Sequence, residues 1–468
     1  MELTTKVLVQ GTLINQSPML VGTGEGEWVD KEVVRDPDNV PYIPATALGG
    51  VLRHEYERVF ADDGQVASYF FGTGASGADV GDQSHCAIED ARPLDPDRVS
   101  VTIRSGIRID PQNGTTKHGA KYDYELVEPG CAFGLRCEVF LYDDGHEDQL
   151  VPFLQRMLWI LQRGLRVGAK TQAGFGRLEL SSCHFYRFDF PTDGIKWFDY
   201  LDWGFDVLSP YSLPRFEIED NAEELVLTAE FSLQRALLIG SSPSDVRSPD
   251  KVHITSNGIH VLPATSLKGA LRHQAERIIR TLAQSAVGQD VEAITVDLVA
   301  HLFGSSTEQT EQTEDAEEHR QRSRIRIEEV PITGERSKTQ TRIRVDRFTG
   351  GAMNGSLFNE EPIFHQNENF TVTMQVSEPT AAEVGLLLLL LKDLWTGHVA
   401  LGEGKAVGRG LLTGKCANIT HRQQGQEYCL KIQGLPTGVL LVDNAERAQH
   451  YVDAFVARVK GGNMRHES

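Results

Sequence analysis

The alternation of apolar and polar residues predicts strands and helices in the order strand, helix, strand, strand, helix, strand over the first part of the chain. Alternating apolar residues predict strands, and apolar residues spaced by three and four predict helices. The segments that carry these patterns are residues 6–14, 48–60, 85–92, 133–142, 153–161 and 175–181.

The same order recurs in the second part of the chain. The segment PATALGGVLRHEYER at 44–58 returns as PATSLKGALRHQAER at 263–277. A repeat of this length indicates a duplicated domain, and the order βαββαβ is typical of the ferredoxin-like fold. We therefore expect an α+β protein of two tandem ferredoxin-like, RRM-like domains, each with a long insertion between its second and third strands. The matching segments are residues 224–233, 267–282, 325–331, 370–376, 383–395 and 409–414.

These patterns divide the chain into two predicted modules with a connecting and a terminal segment. The low-complexity insert at 305–323 is too polar to form a core, so we expect it to be disordered. The C-terminal segment predicts a short strand and a helix. The predicted bounds are 1–188 for module 1, 189–222 for the linker, 223–425 for module 2 and 426–468 for the extension.

Composition and charge narrow the function. The six cysteines form no CxxC pair, which argues against a zinc site or a disulfide framework. The longest apolar run, Leu386–Leu391, is far too short to span a membrane, and the N-terminus predicts no signal peptide, so we expect a soluble, cytoplasmic protein. The formal charge of −20 opposes non-specific binding to a polyanion, but the basic residues cluster locally.

Each copy places an aspartate in the loop between its first strand and first helix. Asp30 lies fourteen residues before Pro44, and Asp250 lies thirteen before Pro263. Both are followed by lysine. Asp36 and Asp245 are competing choices because the two loops differ in length. An aspartate near glycine or proline also commonly serves a turn, which is the alternative interpretation for all four residues.

The glycine-rich loop, the isolated aspartate and the P-A-T-x-L-x-G-x-L-R segment that opens the helix together resemble the RAMP backbone subunits of CRISPR type III effector complexes. The fusion of two copies is similar to the type III-D systems. The resemblance implies a partner set of CRISPR guide RNA, single-stranded target RNA and other effector subunits, with no membrane. It also implies target cleavage by Asp30 and Asp250 with Mg²⁺ or another divalent metal, for which these aspartates are the candidate ligands.

Two further features of the resemblance involve basic residues. Glycine-rich segments at 164–177 and 397–410 could bring backbone N–H groups to phosphates, or could simply make tight turns. Insertions at 97–129 and 334–362 correspond to the family's base-wedging thumb. The residues expected to contact RNA are Arg53, Lys268, Arg272, Arg163, Arg166, Lys170, Arg177, Lys405, Arg409, Arg104, Arg108, Lys117, Arg342 and Arg344.

Other interpretations stay open at this point. Tyr122, Tyr124, Phe348, Met353 and Phe358 could be base wedges of the thumbs, or half-buried packing residues. The chain could also be a purely structural guide-RNA scaffold in which the aspartates only form turns. A two-domain metabolic ferredoxin-like protein is a third possibility, and it would carry no RNA.

Overall fold

The chain folds into two compact units in the computed structural model. The residues described are 2–22, 24, 29–60, 64–73, 81–110, 115–218, 222–241, 248–284, 290–305, 321–364, 368–435 and 440–461. The first unit comprises Met1–Arg108, Thr116–Thr171 and Phe175–Asn221, and the second comprises Ile109–Thr115, Gln172–Gly174 and Ala222–Ser468. Much of the predicted disordered insert, residues 306–320, lies outside the described residues.

The first half of the chain contains a sheet, a hairpin and helices. In chain order the elements are β1 (Leu3–Asn15), α1 (Ala45–Val59), α2 (Gly64–Phe71), β2 (Cys86–Ile88), β3 (Val101–Ile109), β4 (Thr116–Val127), β5 (Ala132–Tyr142), α3 (Leu150–Arg163), β6 (Leu165–Arg166), β7 (Arg177–Asp189) and α4 (Gly194–Trp203). The sheet order is β2-β5-β1-β7-β6, with antiparallel pairing throughout. Strands β3 and β4 form a separate hairpin.

The core of this unit lies between the sheet and helices α1 and α3. Alternation along β1 sends Val7, Val9 and Leu13 to the same side, where all are fully buried. Leu52 of α1 and Phe153 of α3 belong to the same cluster. Burying a large apolar side chain stabilises the fold by about 1.5–3 kcal/mol, so the shared cluster holds the helices against the sheet.

The opposite face of this sheet is covered as well. Leu8 and Phe188 point to that side and pack with Tyr200 of α4, while Trp197 and Phe205 are partly buried against them. The predicted linker therefore contributes a helix that closes the outer side of the sheet. The proline- and aspartate-rich composition of residues 189–222 did not predict this helix.

The second half of the chain repeats the pattern with additions. In chain order its elements are β8 (Glu224–Leu233), β9 (Ala236–Leu237), β10 (Gly240–Ser241), β11 (Lys251–His253), β12 (Thr255–Ser256), β13 (Ile259–Leu262), α5 (Ala264–Ala283), α6 (Val291–Phe303), β14 (Ile325–Ile327), β15 (Val330–Pro331), β16 (Arg336–Ser337), β17 (Gln340–Val345), β18 (Ala352–Glu361), β19 (Ile363–Phe364), β20 (Phe370–Ser377), α7 (Ala381–Trp395), β21 (Leu412–Gln423), β22 (Gln426–Gly434), β23 (Leu440–Val442) and α8 (Ala445–Val459).

The main sheet of the second unit has the order β14-β20-β8-β21-β22-β23. The C-terminal segment adds β22 and β23 to its edge and packs α8 against α7. This packing is close: a Cβ on Gly385 of α7 would lie 2.1 Å from the Tyr451 carbonyl oxygen, so only glycine fits there. Phe455 of α8 is buried in the same core.

The expectation of a mixed α+β protein is confirmed, with several antiparallel sheets, and the predicted insertions contain the hairpins β3–β4 and β17–β18. Two details differ. Each copy has a second helix, α2 or α6, which ends before a glycine with positive φ, Gly72 or Gly304. The last strand of copy two begins at Leu412 rather than 409 because Gly410 still has φ of 80°. None of the described helices is long and apolar enough to cross a membrane.

Candidate functional site

Asp30 fastens its loop to the hairpin of the first unit. The Asp30 carboxylate accepts a hydrogen bond from the backbone N–H of Asp123 at 2.6 Å. The next residue, Lys31, forms a parallel bridge with Tyr124, and its carbonyl accepts from Glu125 N at 2.9 Å. The loop thus continues the β3–β4 hairpin as a short third strand that starts at an exposed carboxylate.

Asp250 makes the same connection in the second unit. Its carboxylate accepts from Asn359 N at 2.7 Å, and Lys251 pairs in parallel with Glu360 of β18. Residue by residue, the pair Lys31 and Tyr124 corresponds to Lys251 and Glu360. The structure therefore places Asp30 and Asp250 at equivalent positions, although the two loops differ in length.

Asp36, one of the two competing aspartates, makes a different set of hydrogen bonds. Asp36 accepts from the backbone N–H groups of Asp38 and Val40, both at 3.0 Å, and from Arg92 at 3.3 Å. These bonds close a tight turn, which is the ordinary role of an aspartate in such a sequence. Asp245 lies outside the described residues.

A half-buried ion pair between Arg35 and Glu125 holds the Asp30 strand in register. Glu125 of β4 accepts two hydrogen bonds from the Arg35 guanidinium, at 2.7 and 3.1 Å, and a third from Val33 N. Burial of the Glu125 carboxyl acts against its ionisation, but the bonds from Arg35 and Val33 outweigh it and hold its pKa below the usual range. The sequence did not predict this ion pair, because Arg35 and Glu125 lie 90 positions apart.

Lys170 lies beside the Asp30 strand in a restricted environment. It adopts φ of 57°, donates to the Tyr122 hydroxyl at 2.6 Å and lies 4.3 and 4.2 Å from the Tyr122 and Tyr124 ring centroids. Burial and the charge of Lys31 lower the pKa of Lys170 to about 8. Lys170 and Lys31 thus form a cationic pair next to the candidate aspartate.

The second unit neutralises the corresponding charge. Lys251 forms an ion pair with Glu403 at 2.5 Å. Glu403 occupies the position of Ala169, since each backbone N–H donates at 2.7 Å to the matching carbonyl, Leu20 or Leu238. The position of Lys170 is taken by Gly404, which also has positive φ.

Beneath this position the two units use different contacts. Phe175 is buried and packs on Tyr124 with ring centroids 6.2 Å apart. In the second unit Arg409 takes the place of Phe175 and donates to Glu360, the counterpart of Tyr124, at 2.8 Å. Arg409 is only 4% exposed and also donates to Gln340. An aromatic pair has thus been exchanged for a buried ion pair.

The shared glycines of the glycine-rich segments are explained by packing. A Cβ on Gly176 would lie 1.9 Å from the Val167 carbonyl oxygen, and one on Gly410 would lie 1.8 Å from that of Leu401. Both glycines have positive φ. The tight-turn interpretation therefore accounts for these positions without any ligand.

The remaining basic residues predicted to contact RNA fall into two groups. Those on the surface are Lys117, Arg344 and Lys405, whereas Arg53 is half-buried and pairs with Glu57 at 2.7 Å. Several others are engaged within the protein: Arg104 is buried 3.9 Å from Glu128, Arg272 donates to Gly304 O, Arg342 lies 3.4 Å from Glu360, Arg177 lies 2.5 Å from Glu179, and Arg163 lies over the Trp159 ring. Arg108 and Arg166 are half-buried.

Lys268, on the first turns of α5, faces the protein interior. Its ammonium donates to the Ser323 hydroxyl at 2.6 Å and to the Ile325 carbonyl at 3.0 Å. Burial, together with the charges of Arg272 and Arg326, lowers the pKa of Lys268 to about 7. These bonds tie α5 to the start of β14.

The hairpins expose apolar side chains that solubility alone would not favour. On β3, Ile103 and Ile107 are 60% and 49% exposed. On the second hairpin, Phe348 is 99% and Leu357 65% exposed, whereas Tyr124 is buried. Among the wedge candidates, Phe348 is thus the most accessible. Ile103 and Ile107 of β3 are additional candidates, and each is followed by an arginine in the sequence.

The described residues suit one mode of metal binding only. Across those ranges no group of three or more His, Cys, Asp or Glu side chains could form a metal site. Mg²⁺, however, is commonly held by one or two carboxylates while phosphate and water supply the other ligands. The exposed Asp30 and Asp250 carboxylates are compatible with that mode.

Comparisons with known proteins give a family and distant structural neighbours. A family model described as the RAMP superfamily matches residues 12–179 and 230–413. No curated protein matches the chain. One solved chain, from the cryo-EM structure of the type III-B Cmr-beta bound to cognate target RNA, is 13% identical with a TM-score of 0.32, over 37% of this chain and 96% of its own. A chain from the cryo-EM structure of the apo state of type III-B Cmr-beta is also 13% identical, with a TM-score of 0.31, over 37% of this chain and 96% of its own.

Proposed function

The chain belongs to the RAMP superfamily, and on that premise we propose that it is a double backbone subunit of a type III CRISPR RNA-guided effector complex. In this proposal it binds guide RNA, cleaves complementary single-stranded target RNA and assembles with other effector subunits in the cytoplasm. The observation that carries the proposal is the equivalence of Asp30 and Asp250, each of which accepts a hydrogen bond from the corresponding backbone N–H of its hairpin, Asp123 or Asn359.

We propose that each copy is a ferredoxin-like module with a thumb. The antiparallel order β2-β5-β1-β7 in one copy and β14-β20-β8-β21 in the other supports this, because each sets the third strand between the first and the second. The proposed modules span 1–188 and 223–425, joined by 189–222 and followed by the extension 426–468.

The proposed RNA surface lies along the hairpins and the loop aspartates. Exposed cations such as Lys117 and Arg344 would contact phosphates, while Phe348 and Ile103 would pack against bases. Arg409 and Lys268 are left out of this surface because Arg409 is buried, Lys268 is half-buried, and both are bonded within the protein. Their part in the proposal is to hold the glycine segment and helix α5 in place.

The proposed reaction breaks one phosphodiester bond of the target. The 2′-oxygen attacks phosphorus, and the bond to the 5′-oxygen breaks, so the protein must position these atoms in line. Asp30 would accept the 2′-hydroxyl proton or hold a divalent cation. Such a cation, when bound, supplies charge stabilisation at the phosphate. Lys31 and Lys170 add positive charge close to the Asp30 strand.

A second candidate, a non-catalytic guide-RNA scaffold, is favoured by the same hydrogen bonds. Each aspartate already accepts a backbone N–H, at 2.6 or 2.7 Å, which is a sufficient structural reason for a carboxylate at that position. In that case cleavage would belong to other subunits. The two candidates differ in whether the negative charge, or only the acceptor oxygen, is needed.

The test compares Asp30→Asn with Asp30→Ala in the assembled complex with guide RNA, Mg²⁺ and labelled target. Asparagine keeps an oxygen that can accept from Asp123 N but cannot take a proton or hold a cation well. We expect both variants to retain guide RNA and to lose the cut assigned to this site. Full cleavage by Asp30→Asn would establish the scaffold alternative. A chain that purifies with an A260/A280 ratio of clean protein would contradict RNA binding altogether.

A further inference from the structure

Helix α4 is apolar on two sides, and the described residues of the chain cover only one of them. Trp197 and Tyr200 pack on the outer face of the first sheet. Ile195, Phe198 and Leu201, spaced by three, form a ridge on the solvent side and are 79%, 67% and 58% exposed. The solvent side of an amphipathic helix is normally polar, so an exposed apolar ridge of this kind is typical of an interaction surface.

The exposed surface extends beyond the ridge. Trp203 at the end of α4 is 71% exposed, and Val207 in the following turn is 49% exposed. Beside Leu201 a cavity of about 440 Å³ is lined by Trp197, Phe205 and Arg136, among others. Contiguous apolar surface with aromatic side chains beside a cavity is typical of protein–protein interfaces.

The charges around the ridge indicate the kind of partner. Asp199, Asp202 and Asp206 are exposed next to the apolar side chains. Lys196, the only lysine of the helix, donates to the Arg187 carbonyl at 2.7 Å and lies over Phe188. The border is thus acidic. Aromatic platforms for single-stranded RNA instead combine stacking with a basic groove, so carboxylates at this place disfavour RNA.

The cavity does not change this balance. Lys6 is paired with Glu138 at 2.8 Å, and Arg136 is paired with Glu89 at 3.1 Å. Its cations are thus compensated by carboxylates of the same sheet. Within the part of the chain that the structure describes, Asp199, Asp202 and Asp206 form no ion pair, so the surface around the ridge is acidic.

We propose that the outer ridge of α4, Ile195, Phe198 and Leu201, is the docking surface for a protein subunit that presents an apolar groove bordered by lysines or arginines. The cavity beside Leu201 receives an apolar side chain of that subunit. This surface lies on the opposite face of the sheet from α1 and α3 and needs neither the loop aspartates nor the hairpins. The proposal therefore stands independently of RNA cleavage.

The test places a photo-crosslinking amino acid, p-benzoylphenylalanine, at Phe198 in the tagged full-length chain, purified with its native assembly from its source organism. Leu94, an isolated residue of the same unit that is 61% exposed, carries the crosslinker in the control. We expect one crosslinked protein specific to position 198, attached through a peptide that contains lysine or arginine. The double change Asp199→Lys and Asp202→Lys should lower its yield at least about ten-fold by placing like charges together.

A second variant, Ile195→Ser with Leu201→Ser, removes the ridge without altering charge and should lower the yield similarly. The residues changed in the two variants are all exposed, so we expect the thermal melting temperature and the guide-RNA content to stay unchanged while the crosslinking yield falls. These residues are Asp199, Asp202, Ile195 and Leu201. The proposal is overturned if position 198 crosslinks to RNA or to a second copy of this chain, or no more than position 94. It is also overturned if charge reversal leaves the yield unchanged.

Discussion

The two units of this chain share a backbone arrangement and differ in the charges placed upon it. Both fasten a loop aspartate to a hairpin through one backbone N–H, and both pack a glycine against the preceding carbonyl. Beside Asp30, Lys170 lies close to Lys31, whereas beside Asp250 the corresponding Lys251 is neutralised by Glu403. After duplication, the backbone geometry was kept by steric necessity, while the side chains around the aspartates could diverge.

The segments that follow each copy differ as well. After β7, helix α4 turns back and covers the outer face of the first sheet. After β21, the chain adds β22 and β23 to the sheet edge and packs α8 on α7 instead. The outer side of β8, with Thr228 and Glu230, stays half exposed. The two additions therefore give two equivalent sheets different surfaces for partners.

The largest expected effect on the difference in cleavage between the two units comes from exchanging the residues at positions 169 and 403. Ala169→Glu places a carboxylate where Glu403 neutralises Lys251, so we expect Lys31 to be neutralised and cleavage at the first site to fall by about ten-fold. We expect cleavage at the second site to be the weaker of the two, and Glu403→Ala should raise it. Single-turnover cleavage of a labelled target in the assembled complex measures both.

The control for this exchange is Ala169→Gln, which adds similar volume without charge. It should leave most of the activity, because Ala169 is only half-buried and its backbone N–H can donate to Leu20 O whichever of these side chains it carries. Equal loss in the glutamine and glutamate variants would mean that bulk, not charge, distinguishes the units.

The next expected effect is on the pH dependence of RNA binding. Lys170 titrates near pH 8 because burial and Lys31 lower its pKa, so its charge is present below about pH 8 and is lost as the pH rises. We expect RNA affinity to fall a few-fold between about pH 7 and about pH 9. Lys170→Met should bind more weakly at about pH 7 and lose most of that dependence. A wild-type slope that survives in Lys170→Met would contradict the assignment.

The last expected effect is on stability. The pKa of Lys268 is about 7 in the folded protein, below its usual value, so above pH 7 the unfolded chain binds more protons and stability rises with pH. The slope is at most about 1.4 kcal/mol per pH unit for one group. Urea unfolding of Lys268→Met should show a shallower slope than wild type between about pH 7 and about pH 9. Lys338→Met, at an exposed lysine, should keep the wild-type slope.

The sequence alone predicted what is repeated and local. The recurrence of PATALGGVLRHEYER identified the two copies, and alternation located β1 and β8, because a half-buried strand must alternate. The correspondence of Asp30 with Asp250 was left open, since loops of different length give no register. Pairing of Lys31 with Tyr124 and of Lys251 with Glu360 supplies that register, and it depends on residues about a hundred positions away.

Three features could not be read from the sequence for physical reasons. The covering of the first sheet by α4 depends on which apolar side of the helix meets Phe188. The burial of Lys268 and Arg409 depends on their partners Ser323 and Glu360. Basic residues in a glycine-rich segment look alike in sequence whether they face RNA or a carboxylate.

The most direct test of the central claim is to map the target fragments produced by Asp30→Asn and by Asp250→Asn in the assembled complex. The account predicts that Asp30→Asn removes one cut, with a rate loss of roughly 10²–10⁴-fold, and that Asp250→Asn affects only a slower, separate cut. Both variants should retain guide RNA, because the backbone hydrogen bonds survive. An unaltered fragment pattern with Asp30→Asn would contradict the account and leave the chain as a scaffold.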